Sequence, residues 1–274
     1  MSTSRLEEIS SIQSDKNRPW PQRIICLTSE TTEIAFALGA GDRIVGVSGY
    51  SVRPPEAREK PKVSAFKSAR IEKIRELSPD LILGFSDLQK DILRDLVGEG
   101  YNVFVTNQRS LQEIQDAILA IGRLLGREQR AKELCDEFSA ELSALASKAR
   151  SLARPRVYFE EWDNPFITGI RWVSELVEFL GGSDVFKDKS AGKVASERTV
   201  TSEEVIRANP DVIIASWCGK KVQFEKIRER TGWDQIEAVR KNRLYEIKSA
   251  DILAPGLSLL HGARQMASIF RSLS

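Results

Sequence analysis

The chain repeats itself, and the repeat restricts its fold more than any single motif. Residues 71–85 read IEKIRELSPDLILGF and residues 202–217 read SEEVIRANPDVIIASW. In both, an amphipathic helical turn meets a Pro-Asp break and then an apolar run of strand length. A second pair comes earlier in each half. TEIAFALGAGD (32–42) and SELVEFLGGSD (174–184) have helical period and close on Leu-Gly, where glycine supplies the left-handed residue that ends a helix. RIICLT (23–28) and RVYFEE (156–161) read as the opening strands of the two halves. YNVFVTN (101–107) and RLYEIKS (243–249) follow the helix, Pro-Asp, strand units in the same order. Alternating strand and helix builds a mostly parallel sheet with helices on its faces, joined by right-handed crossovers. The expected fold class is therefore α/β, with two Rossmann-like lobes.

Residues 111–153, LQEIQDAILAIGRLLGREQRAKELCDEFSAELSALASKARSLA, are rich in Ala, Leu, Glu and Lys and read as a helical connection with a break at Gly126. Irregular apolar spacing argues against a coiled coil. A helix of about 25 residues reaches nearly 40 Å, enough to join two lobes stiffly. The expected organisation is a polar N-terminal extension (1–21), an N-terminal lobe (22–110), the connecting helix region (111–153) and a C-terminal lobe (154–274), with a ligand cleft between the lobes.

Composition removes several functions. Hydrophobic residues make up 41% and charged residues 29%, so a packed core is feasible and disorder is not expected. The 41 Lys and Arg against 39 Asp and Glu leave a net charge of +2, too small to attract nucleic acid by long-range field. Cys26, Cys135 and Cys218 form no CxxC pair and His261 is the single histidine, so no protein-held metal and no covalently bound cofactor is expected. The first residues, MSTSRLEEISSIQSDKNRPWPQ, contain no apolar run of the roughly 7–15 residues that a secretory signal needs, and no later segment is apolar enough to span a membrane. The sequence as it stands predicts a cytoplasmic monomer, or a periplasmic one if a leader has been removed.

Ligands of open α/β sheets bind beyond the carboxyl ends of the strands. The residues expected there are Thr28, Ser29 and Glu30, then Tyr50, Phe66 and Phe85 in the first half. In the second half they are Trp162, Trp172, Trp217 and the loop Asp251-Ile252-Leu253. Most are aromatic, which suits a broad flat ligand held by stacking and area with few charges. Each ring taken alone is equally well explained as core. Trp20 and Trp233 read as structural. No nucleophile pairs with a histidine base, since His261 falls in an expected C-terminal helix where packing or exposure accounts for it. Gly39-Ala40-Gly41 and Gly181-Gly182 lack the full phosphate-loop pattern. Glu160 and Glu161 are adjacent on a strand and point to opposite faces, which argues against joint acid catalysis. An enzyme using Glu160, Asp163 and Asp251 as acids is the least favoured reading. Glu72 and Glu203 each stand seven residues before the Pro of their repeat. Matched carboxylates of this kind fit either docking on a symmetric basic partner or the acidic preference of helix N-termini.

Taken together, RIICLTSETTEIAFALGAGDRIVGVSGYS, PPEAREKPKVSAF, IEKIRELSPDLIL, NPFITGIRWVSELVEFLGGSDVFKD and VTSEEVIRANPDVIIAS resemble the cobalamin-binding (vitamin B12) substrate-binding proteins of ABC importers. These form a branch of the helical-backbone, class III periplasmic-binding-protein superfamily that also carries iron chelates and haem. The likeness covers about residues 22–270. It implies a non-enzymatic binder of a corrinoid, with Tyr50, Phe66 and Phe85 as ring contacts of the first lobe. It places Phe166, Gly169 and Trp172 on the ligand-facing loop of the second, and Glu197 where an aromatic residue is usual. Glu72 and Glu203 match the glutamates that engage permease arginines. The set around Trp162, Trp172 and Trp217 is similar to a leaderless branch of the family. The alternative ligand is an iron chelate or haem, with His261 as axial ligand if its helix faces the ligand.

Overall fold

The structure, a computed structural model, describes residues 20–149 and 154–273. Most of the expected N-terminal extension, and the last four residues of the expected connection, lie outside the described residues. Eleven α-helices and eleven strands form among the described residues, which gather into two compact units. One unit holds the described residues up to Asn107 together with Ala117–Leu134. The other holds Gln108–Asp116 and the described residues from Cys135 onward. The connecting helices are thus apportioned between the two units.

The first unit is built on a six-stranded sheet. Its strands are β1 (Ile24–Cys26), β2 (Ile44–Ser48), β3 (Lys62–Ala65), β4 (Ser68–Ala69), β5 (Leu81–Phe85) and β6 (Val103–Thr106), in the order β4-β3-β2-β1-β5-β6. Every neighbouring pair is parallel except β3 with β4. The central strand β1 is Ile-Ile-Cys and fully buried, as a parallel strand covered on both faces requires. Helices α1 (Ser29–Ala37), α2 (Ile71–Leu77) and α3 (Lys90–Gly98) carry the crossovers. Ile25, Leu27, Val63, Ile74, Ile82 and Leu96 close one core layer.

The second unit uses β7 (Arg156–Asp163), β8 (Phe166–Thr168), β9 (Ser183–Asp184), β10 (Val212–Ala215) and β11 (Leu244–Glu246), in the order β11-β10-β7-β8 with β9 also on β7. Only the β7–β8 pair is antiparallel. Helices α6 (Arg171–Phe179) and α7 (Ser202–Ala208) occupy the places that α1 and α2 hold in the first unit.

The repeat read in the sequence has a physical counterpart at the amino ends of the two opening strands. Asp80 of the first Pro-Asp pair accepts the backbone N–H groups of Gln22 (2.7 Å) and Arg23 (2.9 Å), and Asp211 of the second accepts that of Arg156 (2.8 Å). In return, the Arg23 guanidinium bonds the last carbonyls of α2 at Leu77 and Ser78, and Arg156 bonds Ala208 at the end of α7. The helices stop one residue before proline, on left-handed Ser78 (φ 43°) and Asn209 (φ 40°). After the Leu-Gly closures of α1 and α6, Gly39 (φ 73°) and Gly181 (φ 93°) take the left-handed position, as the sequence predicts.

The connection is two helices, α4 (Leu111–Leu124) and α5 (Glu128–Ala149), broken where Gly126 turns left-handed at φ 66°. A side chain on Gly122 would strike Ala131, so glycine is what lets the two helices approach. The start of α5 is anchored to the end of α1 by Arg130 on the Ala37 carbonyl (3.3 Å) and Arg127 on that of Gly39 (3.4 Å). The remaining helices are α8 (Phe224–Arg228), α9 (Glu237–Arg240), α10 (Ser249–Ile252) and α11 (Leu259–Ser272). Among the described residues no helix is long and apolar enough to cross a membrane.

Candidate functional site

In the first unit the carboxyl edge of the sheet is assembled from loops that hold one another by buried polar side chains. Thr32 donates its hydroxyl to the Thr28 carbonyl (2.7 Å) and shares a hydrogen bond with Ser51 (2.8 Å), which fixes the loop bearing Tyr50. Ser64 reaches the Leu27 carbonyl (2.9 Å). Tyr50 projects outward at 61% exposure, Phe66 is half-buried and Phe85 is 3% exposed. Phe66 and Phe85 are brought together by Gln89, a buried side chain that accepts the Phe85 N–H and donates to the Phe66 carbonyl, both at 3.0 Å. Directly after Phe85, Ser86 takes φ 63° and ψ 163°, a region almost reserved for glycine, held by its N–H on Thr106 O (2.7 Å).

Glu30, in the first turn of α1, is buried, and one of its carboxylate oxygens has no hydrogen-bond partner. Burial pushes its carboxyl up to about 7, against the hydroxyls of Thr28 and Ser29, which favour the charged form. Its neighbour Glu33 is instead paired with Arg53 at 3.2 Å. The Cys26 thiol beneath them is pushed up to about 12 by burial, so it is not a nucleophile at neutral pH.

In the second unit the matching edge is built around a buried carboxylate. Glu160, at the end of the buried part of β7, accepts a two-pronged bond from Arg230 (2.5 and 2.9 Å), the indole N–H of Trp217 (2.9 Å) and the Tyr158 hydroxyl (3.2 Å). Burial first, and the Glu160 charge beside it, hold the Tyr158 phenol well above its ordinary value. Glu161 points to the opposite face, as alternation along a strand requires, and pairs with Arg198 at 2.6 Å. Trp162 and Asp163 end the strand. The Trp162 indole donates to the Asn164 carbonyl (2.9 Å), and Lys220 pairs with Asp163 (2.5 Å) while its amine lies 4.0 Å over Trp162 and 4.8 Å over Trp217.

The expected second-unit residues divide sharply. Trp162 and Phe166 are half-buried on the β7–β8 hairpin. Trp217, at 1% exposure, belongs to the core with Tyr158 and Trp233, and Trp172, at 3%, is spent on the Ile252 carbonyl (3.0 Å). Phe85, Trp172 and Trp217 therefore depart from the expectation of open stacking faces: all three are buried. Gly169 is buried against Phe159 and gives the hairpin its close packing on that ring. Asp251 lies in the short helix α10, not in a loop, and accepts a bond from Gln265 at 3.1 Å. Glu197 braces its own turn by accepting the Lys193 N–H at 2.7 Å. Glu72 and Glu203 both sit exposed at the second position of their helices, Glu72 in a 2.5 Å pair with Arg75. The N–H of Glu203 itself, and then Thr201, hold the Glu203 carboxyl below the ordinary range. Trp20 is partly exposed beside Gly126, and Trp233 is a core residue, both structural as read. His261 is exposed on α11, its ring 3.4 Å from the Arg264 guanidinium.

Two residues escaped the sequence reading. Lys220 left a weak trace as the basic run after Trp217, whereas Arg230 left none, because 70 residues separate it from Glu160. A cavity of about 960 Å³ in the second unit is lined by α4, α5 and α6 residues such as Gln115, Leu142, Ser174 and Phe179, and contains none of the expected contacts. Phe166, Asp163 and Arg230 share a smaller one of about 380 Å³. No group of three or more metal-ligating side chains forms among the described residues.

Residues 24–250 match the model of the periplasmic binding protein family. The chain belongs to that family. A Bacillus subtilis ABC transporter substrate-binding lipoprotein is 27% identical, covering 90% of this periplasmic binding protein and 79% of the relative. A vitamin B12-binding protein of Vibrio cholerae is 32% identical, covering 73% and 72%. Among solved structures, a possible iron-binding periplasmic solute-binding protein of Staphylococcus epidermidis superposes with a TM-score of 0.80 at 27% identity, over 91% of this chain and 98% of that one. The periplasmic vitamin B12-binding protein of Vibrio cholerae gives 0.73 at 26%, over 92% and 98%. The two-unit α/β architecture is that of the class III binding proteins. Substrate binding is the role that goes with the family, and its members named here are binders, not enzymes.

Proposed function

We propose that this periplasmic binding protein is a non-enzymatic carrier of a corrinoid of the vitamin B12 type, held by area and stacking on the strand-end surfaces. The supporting observation is that Tyr50, Phe66, Trp162 and Phe166 have exposed or half-buried rings there, with the Trp162 indole fixed on the Asn164 carbonyl. Phe85, Trp172 and Trp217, all buried, serve as packing. The carboxylates that acid–base chemistry would call on are committed, Glu160 to Arg230 and Asp163 to Lys220, which suits a binder better than a hydrolase.

Calorimetric titration with cyanocobalamin, in parallel with haemin, tests this reading. A saturable heat and tryptophan quenching with cyanocobalamin at micromolar concentration are expected. No response at tens of micromolar, or a response to haemin alone, would reject the corrinoid. For delivery, Glu72 and Glu203 are the contacts with the arginines of an ABC permease. The double charge reversal Glu72→Lys with Glu203→Lys is expected to abolish association with the permease and leave ligand affinity unchanged; undiminished association would remove them from that role.

A further inference from the structure

We infer that Arg230 is a positioning residue for the ligand-facing hairpin of the second unit, an inference that rests on the reading of Trp162 and Phe166 as ligand contacts. Its guanidinium carbon lies 4.3 Å from the ring centre of Phe166 and 4.3 Å from that of Trp233, while its N–H groups fork onto both oxygens of Glu160. Only a planar, weakly hydrated cation can lie against two aromatic faces and still direct in-plane N–H groups at a carboxylate. The Phe166 ring is thereby fixed against Arg230 and, 5.5 Å away, against Trp233.

The influence reaches Trp162 by a second route. Glu160 is fully buried, and its charge is matched by Arg230, whose side chain is 11% exposed. With that charge held, the same carboxylate receives the Trp217 indole N–H, and Trp217 shares the Lys220 amine with Trp162. Arg230 therefore stands between a core carboxylate and the two outward rings of the hairpin. It also shares the small cavity at the hairpin with Asp163, Asn164 and Phe166, so its contacts continue from the core to that surface. A pair that only stabilised the core would have no contact on this side.

The test compares the full chain with Arg230→Lys, which keeps the charge and loses the fork, and with Glu160→Gln, which keeps an acceptor for Trp217 and carries the comparison should the first variant not fold. The near-ultraviolet circular dichroism of the free protein is expected to change, and cyanocobalamin affinity to fall at least about tenfold, while the thermal midpoint moves by only about 5 °C for Arg230→Lys and further for Glu160→Gln, which leaves the Arg230 charge unmatched. Unchanged dichroism with unchanged affinity overturns the inference, as does an affinity loss explained entirely by the unfolded fraction. If the unaltered chain binds no cyanocobalamin, the corrinoid reading fails by itself, and the dichroism decides the positioning role: an unchanged spectrum overturns it.

Discussion

Glu30 is a residue whose charge state near neutral pH depends on the fold. Its carboxyl lies at about 7 in the folded chain against an ordinary 4.5, because burial disfavours the anion. The folded protein thus retains a proton that the unfolded chain gives up as pH rises from about 4.5 to about 7. Stability from this group is full below the lower value, declines across that window, and is lost above the upper one, a swing on the order of 3 kcal/mol. Glu30→Gln cannot titrate. Urea unfolding at pH 5 and pH 8 is expected to show the unaltered protein weakening between the two by more than the variant, which keeps only the contribution of other carboxyls such as Asp184, also raised by burial, so that the difference shifts in the variant's favour at pH 8. An equal slope in both proteins would mean that the carboxyl is charged and solvated in the native state. Tyr158, raised by burial and by Glu160, and Cys26, pushed up to about 12, lie outside that window and leave it undisturbed.

At the scale of elements, the duplicated helix, Pro-Asp, strand unit works because each aspartate ties the strand that opens its lobe. Asp80 receives two backbone N–H groups and Asp211 one. Bonds to a charged acceptor contribute about 1.5–3 kcal/mol where shielded and less at these exposed edges. Asp80→Ala is expected to cost about 2 kcal/mol and Asp211→Ala about 1 kcal/mol, with equal binding, in chemical denaturation read by circular dichroism. A larger loss for Asp211→Ala would contradict this account of the repeat. The same logic explains the loops: Gln89 joins the Phe66 and Phe85 segments through one buried amide, next to the strained Ser86, whose N–H is held by the Thr106 carbonyl.

For the whole molecule, the rings separate into two groups that behave differently when removed. Phe85, Trp172 and Trp217 are core, and truncation to Ala costs about 3–5 kcal/mol through lost burial and cavity formation. Tyr50, Phe66, Trp162 and Phe166 are open or half-open, so their Ala variants are expected to lower the thermal midpoint far less and to weaken cyanocobalamin binding by about tenfold each, if they stack as proposed. Paired calorimetry and thermal melts across the seven variants check the division. Weak binding confined to the core variants would place the ligand elsewhere on the protein.

The sequence alone determined the architecture. Periodicity, the Leu-Gly closures and the doubled Pro-Asp units are local signals, and they placed α1, α2, α6 and α7 and the strands between them, because caps and alternation act over a few residues. It also placed the aromatic residues near strand ends. Only the tertiary structure decided which of those rings turn outward. Trp162 and Trp217 look alike in sequence, each indole just past an apolar strand, yet one lies half-open and the other is buried on Glu160. Trp217 is taken up by the buried Glu160, whose charge partner Arg230 stands 70 residues further on, and a pair formed across such a separation leaves no periodic trace in the chain.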